Sequence, residues 1–204
     1  MTKWLPLPDY RRILDVCCGL GRHDKELVAL RYEVTGVDRD AEAIAIATKA
    51  VPEARFVVAD QRDLKQVAGC YDAVVNLWQS FGYFDSETND AVLAEMASKL
   101  RPGGRLLLDI YHPAYWRDHQ GVRGSPREGV KSITDTVEDE RLTSRIVYVD
   151  ETVEVMDFEL IEPHHLTQRA AKGGLQVINQ CTWWDPQRPP GSGEARYQTV
   201  FEKM

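Results

Sequence analysis

A chain of 204 residues, 43% of them hydrophobic, can bury one substantial core but is short for two comfortable domains, so one domain over residues 1–204 is expected. Its formal charge of −7 offers none of the clustered cations that neutralise phosphates, which argues against DNA or RNA as partner and leaves Arg117, Arg123 and Arg127 as a solvated loop face. The four cysteines, Cys17, Cys18, Cys70 and Cys181, form no C-x-x-C pair and lie near no His at zinc-ligand spacing; with no signal-like or membrane-length apolar run, the expectation is a cytoplasmic protein without metal or membrane.

Apolar runs bounded by turn residues then alternate with helical patterns, the signature of β-α-β units and a doubly wound, mostly parallel sheet of seven strands. Strands are predicted at Arg12 to Cys17, Glu33 to Asp38, Ala54 to Ala59 and Tyr71 to Leu77. Helices are predicted at Arg22 to Arg31, at Ala41 to Ala50 behind the N-cap Asp40, and at Glu87 to Leu100. Arg101-Pro102-Gly103-Gly104 reads as a stop and turn before a fifth strand, Arg105 to Tyr111. His112 to Gly129 reads as a long loop. From Val130 to Ile161 a period of two predicts an antiparallel insertion of three strands with turns near Asp139 and Asp150. A helix from Pro163 to about Ala171 and a strand pair, Leu175 to Trp183 and Ala195 to Glu202, complete the chain.

The chemistry concentrates in Ile13-Leu14-Asp15-Val16-Cys17-Cys18-Gly19-Leu20-Gly21, a strand running into a glycine turn that opens a helix. Gly19 and Gly21 lack the Cβ that would block a ligand from the backbone, and Asp38 at the end of the next strand can accept hydrogen bonds from a ribose diol. An adenosine-type ligand is implied. A dinucleotide fingerprint needs a third glycine where Asp24 stands, and an anion near a helix N-terminus repels a pyrophosphate. Asp15 suits an ammonium instead.

Leu14-Asp15-Val16-Cys17-Cys18-Gly19-Leu20-Gly21-Arg22-His23 resembles the first motif of class I S-adenosylmethionine-dependent methyltransferases, of a branch with a C-C-G-x-G-R-H form. Val34 to Asp38, Val58 to Asp63, Tyr71 to Trp78 and Leu100 to Gly104 follow in that family's order, so the resemblance is good over the first half of the chain and holds in outline beyond it. It implies S-adenosyl-L-methionine as cofactor. Asp15, Cys17, Gly19, Gly21 and His23 would lie about the methionine part, Asp38 and Arg39 about the ribose, and Asp60 and Gln61 about the adenine. Leu77 and Trp78 would line the mouth beside the sulfonium, with Ser80 near the carboxylate. Arg22 and His23 read equally as a solvated first helical turn, and Trp78 and Phe81 as core aromatics.

Methyl transfer is an in-line displacement served mainly by positioning; an acceptor that must lose a proton points to His112 as base, with Tyr83 and Tyr111 as positioning groups. Asn76-Leu77-Trp78-Gln79 departs from the N-P-P-Y or D-P-P-Y tetrapeptide that accompanies methylation of planar amide or base nitrogens, and with the acidic charge this favours a small-molecule acceptor. The insertion over residues 130–162 is expected to roof the acceptor pocket or to pair two copies as a homodimer. The short lead-in before the first strand leaves the pocket open or covered by another subunit. Two other readings stand beside the enzyme: a cofactor-binding, non-catalytic module, and a nicotinamide-dependent oxidoreductase, which Asp24 disfavours.

Overall fold

The computed structural model describes residues 1–125 and 127–204. After a short 3-10 helix at Thr2–Trp4, the elements run β1 (Arg12–Val16), α1 (Arg22–Ala29), β2 (Glu33–Asp38), α2 (Ala41–Ala50), β3 (Arg55–Val58), β4 (Tyr71–Asn76), α3 (Ser86–Ser98) and β5 (Leu100–Tyr111). Then follow α4 (Pro113–Asp118), β6 (Gly121–Arg123), β7 (Val130–Glu138), β8 (Arg141–Tyr148), β9 (Val153–Glu159), α5 (Pro163–Lys172), β10 (Leu175–Cys181) and β11 (Arg196–Lys203).

β1 to β5, β10 and β11 form one sheet in the order β10-β11-β5-β4-β1-β2-β3. The first five pair in parallel, and β11 and β10 are added antiparallel to β5. β1 has neighbours on both sides, which explains its buried run from Ile13 to Val16. It pairs with β2 on one side and β4 on the other, so chain direction diverges there and opens a crevice at the carboxyl ends of both strands.

Strand alternation divides the core. Leu106, Leu108 and Ile110 of β5 join Val92, Leu93 and Met96 of α3 and Leu166 and Ala170 of α5 on one face. Leu107 faces the other side with Leu27 of α1, Leu5 and Tyr10.

β6 to β9 make a second, wholly antiparallel sheet, the insertion after the fifth strand. Trp116 of α4, Leu142, Phe158 and Leu160 bury its inner face, with Tyr111 packed against them. Glu159 pins the sheet to the core: its N–H donates to the Gly82 carbonyl at 2.7 Å, and its carboxylate accepts from Ser86 Oγ at 2.6 Å, Asn89 Nδ2 at 2.7 Å and Arg169 Nη1 at 2.9 Å.

Three local expectations are corrected. The loop expected after His112 contains α4, started by Pro113 and held by buried Trp116, and the three-residue β6; both are too short to show a period in sequence. The stop at Arg101 to Gly104 lies inside β5, which starts at Leu100 and takes up the extra residues as a register shift opposite Tyr71 and Ala73. β1 ends before Cys17, whose φ of 65° turns the chain.

Candidate functional site

The site begins where β1 stops. Cys17, Gly19 and Gly21 all take left-handed backbone, at φ of 65°, 54° and 76°, which for the cysteine is a strained conformation held by its surroundings. The Cys18 N–H donates to the Val37 carbonyl at 3.0 Å, and the Gly19 N–H to Asp38 Oδ2 at 2.9 Å, so β2 fixes the turn. The two glycines do different work. A Cβ on Gly19 would meet nothing within 4 Å, leaving its backbone open to a ligand. A Cβ on Gly21 would lie 3.1 Å from Ala47 Cβ and 3.2 Å from Phe56 Cζ, so packing as well as its φ requires glycine there.

Beside this turn lies a cavity of about 500 Å³ over the carboxyl ends of the sheet. Its floor and walls are Cys17, Asp38, Arg39, Asp60, Gln61, Ser80, Tyr83 and Phe84, and its roof is the stretch Glu154 to Asp157 of β9. The insertion therefore covers the end of the crevice bounded by Asp38 and Asp60. The second oxygen of Asp38 accepts the Asp40 N–H at 3.0 Å, so two backbone donors aim the carboxylate. Asp60 accepts both Nε and Nη2 of Arg62, at 2.9 and 2.7 Å, and these bonds hold it below the usual carboxylate range although burial acts against them. Gln61 is buried, and its Oε1 has no hydrogen-bond partner.

Beneath the turn sit two carboxyls. Asp15 is buried, with Oδ2 unpartnered, and burial followed by the charges of Asp24 and Asp38 pushes its carboxyl well above the ordinary range. Asp24 is 0% exposed with neither oxygen partnered, and burial pushes it up to about 7. The sequence reading of Asp24 as an anion presented at the helix N-terminus is thus corrected: it lies inside, close to Asp15. Burial, joined at Asp15 by the charge of Asp24, makes both acids hold on to their protons.

β4 contributes the far wall. Asn76 is fully buried; its Nδ2 donates to the Val16 carbonyl at 3.1 Å, and Oδ1 is free. Leu77 packs with Leu5, Tyr10 and Ile13 in the core while its neighbour Trp78 takes the outward position, and neither lines the cavity beside Asp38 and Asp60. Trp78 and Gln79 have φ of 57° and 59°, and this left-handed pair exposes the indole while Gln79 stays buried. Ser80 lines the cavity with its Oγ donating to the Leu77 carbonyl at 2.8 Å.

Of the residues expected to handle protons, Tyr83 lines the cavity, and burial raises its hydroxyl to about 12. Tyr111 packs at a tilt against Trp116 and edge-on against Phe158, which also meets the Tyr83 ring, and burial raises its hydroxyl too. His112 is outside this group. Its ring lies edge-on to fully buried Tyr197, its Nδ1 is unpartnered, and burial lowers its pKa despite nearby Glu162. Successive residues of an extended chain point to opposite faces, so Tyr111 and His112 were never both able to face the crevice.

Tertiary structure adds residues that the sequence did not single out. Arg196 at the start of β11 pairs with buried Asp109 of β5 at 3.1 Å and stands 3.8 Å from the Trp78 ring centre, with Arg22 at 4.4 Å from the same ring. His23 lies in their field, its pKa lowered by burial and then by both arginines, with Nε2 unpartnered. Phe84 and the roof residues of β9 are equally new. No local pattern marks them; Arg196 reaches the site through the pairing of β11 with β5, in which it stands opposite Tyr111.

Residues 13–104 match the family described as Methyltransferase domain. The chain is 32% identical over 117 residues to the putative methyltransferase YqeM of Bacillus subtilis, covering 54% of this chain and 47% of that protein. It is 28% identical over 173 residues to glycine N-methyltransferase of Oryctolagus cuniculus, covering 71% and 57%. The matches thus span about half the length of these curated relatives. Among solved structures, an S-adenosylmethionine-dependent methyltransferase from Clostridium acetobutylicum superposes with a TM-score of 0.82 at 15% identity, covering 94% of this chain and 83% of that one. The sheet order with its antiparallel insertion and these superpositions give the chain the Rossmann-like fold of class I S-adenosylmethionine-dependent methyltransferases, and residues 13–104, which carry the glycine turn fixed by the Asp38 carboxylate, match the methyltransferase domain.

Proposed function

We propose that this chain binds S-adenosyl-L-methionine in the crevice between the Gly19 turn and Gln61 and transfers its methyl group to a nitrogen or oxygen of a small molecule. The observation that carries the reading is the cradle at the carboxyl end of β2: Asp38, aimed by the N–H groups of Gly19 and Asp40, beside a cavity large enough for a nucleoside. The donor and acceptor groups fit the cofactor. Asp38 has lone pairs left for ribose hydroxyls, the unpartnered Gln61 Oε1 can take an adenine amino proton, and Asp15 and Asp24 offer negative charge toward an ammonium.

When bound, the cofactor supplies a methyl group on a positively charged sulfur. The chain's own part is to orient and to keep water out. Asp38 and the Gly19 backbone fix one end of the ligand, and the β9 stretch from Glu154 to Asp157 covers the crevice. Tyr83, kept protonated by burial, donates a hydrogen bond and does not serve as base. Catalysis by positioning needs no more than this when the acceptor presents a free lone pair. His112 has no part in this reading, since its ring packs against Tyr197. The similarity to a protein named glycine N-methyltransferase supports a small acceptor.

Calorimetry with S-adenosylmethionine, S-adenosylhomocysteine and NAD tests the site, followed by a screen of small amines, alcohols and acids read by methyl transfer. Binding of the first two without NAD is expected. Binding of NAD alone, or of none, sinks the reading, and tight binding with no transfer to any acceptor reduces the chain to a cofactor-binding module.

A further inference from the structure

Resting on the methyltransferase reading, we propose that Arg22 and Arg196, stacked on Trp78, form a carboxylate-binding subsite on the transfer side of the crevice. Three elements meet there: the first turn of α1, the exit of β4 and the start of β11, which pairs antiparallel with the carboxyl end of β5 through Arg196 and Tyr111. They lie at the same edge of the sheet as the cavity, displaced across β4 and β5 from Asp38 and Asp60. A group bound there sits on the opposite side of the Gly19 turn from the adenosine cradle.

Trp78 is 54% exposed, so the ring and the groups held against it are open to a ligand from solvent. The guanidinium carbons of Arg22 and Arg196 lie 4.4 and 3.8 Å from the centre of this ring, so both cations are held against one indole. The ring holds their side chains in place before any ligand arrives, which reduces the ordering cost of binding. One of the two charges is not neutralised. Arg196 is paired with Asp109, whereas Arg22 makes no ion pair among the described residues. His23, driven toward its neutral form, adds an unpartnered Nε2 and no charge. The free guanidinium of Arg22 presents a planar fork of N–H donors, which matches the two oxygens of a carboxylate.

That carboxylate belongs either to the acceptor or to the amino-acid end of the cofactor, and binding experiments separate the two. Succinate is titrated into the protein alone and into the S-adenosylhomocysteine complex, and S-adenosylhomocysteine is compared with 5′-methylthioadenosine, which lacks the carboxylate. The variants are Arg22→Met, whose exposed side chain has no ion pair to lose, and Arg196→Met as the second. With an acceptor subsite, succinate binds and weakens about tenfold or more in each variant, while both nucleosides keep their affinity. With a cofactor subsite, succinate does not bind, and S-adenosylhomocysteine weakens by a similar factor while 5′-methylthioadenosine is unaffected. If neither variant changes any of these affinities, the subsite does not exist. Failure of both nucleosides to bind the unaltered protein overturns the functional reading instead, and the succinate titration of the protein alone then decides the subsite by itself.

Discussion

The Gly19 N–H donates to Asp38 Oδ2 at 2.9 Å, joining the turn after β1 to the end of β2 through a single carboxylate whose other oxygen accepts the Asp40 N–H. The residue proposed to read the ribose is thus also the clasp of the turn. Asp38→Ala is expected to weaken S-adenosylhomocysteine by about 1 to 3 kcal/mol and to lower the unfolding midpoint as well, because two backbone donors lose their acceptor. Calorimetry and denaturant unfolding on the same samples check this. A lowered midpoint with unchanged affinity in the folded fraction restricts Asp38 to the structural part.

Gly36 in β2 is needed for space. A Cβ there would lie 2.6 Å from Phe56 Cε1 and 2.9 Å from Cys18 Sγ, inside any real contact distance. Gly36→Ala is expected to destabilise by about 1 to 3 kcal/mol through overpacking, and Phe56→Leu in the same chain should restore part of the loss. Chemical denaturation of the single and double variants reads the effect. Strict additivity of the two changes contradicts the contact.

The Asp15 and Asp24 carboxyls make stability depend on pH. Burial raises Asp24 from 3.8 to about 7, so the folded state holds its proton more tightly than the unfolded state does. The stabilisation from that proton is fully present below about pH 3.8 and is lost as pH rises through about 7. Asp24→Asn is therefore expected to flatten the pH dependence of the unfolding midpoint across this window and to gain on the unaltered protein above it. A cationic ligand favours the ionised pair, so S-adenosylmethionine affinity should rise with pH over the same range and lose that dependence in the variant. Affinity that falls as pH rises contradicts the role of the pair.

His112 and Tyr83 separate two accounts of the chemistry. His112→Gln is expected to leave methyl transfer within about twofold of the unaltered rate, because a ring that packs against Tyr197 cannot reach an acceptor in the cavity. Tyr83→Phe is expected to lower kcat about tenfold or more through the lost donor, with a smaller change in cofactor affinity. Rates measured once an acceptor is found decide this. A collapse of kcat in His112→Gln would return that residue to the chemistry.

What the sequence alone determined is local: the apolar runs and breaks that make β1 to β5, the Asp40 cap, the glycine turn, and the carboxylates at the ends of β2 and β3. These were legible because each rests on spacing within about a turn or a strand, where hydrophobic period and backbone φ constrain the residue type. The tertiary structure alone decided which side chains face the crevice. Leu77 turned inward and Trp78 outward because the backbone after β4 goes left-handed, and His112 fell on the opposite face from Tyr111. It also brought Arg196 to Arg22 across the whole length of the chain, and buried Asp24 beside Asp15. Such contacts depend on strand order and register, which depend on the packing of the entire sheet and leave no mark in any short stretch of sequence.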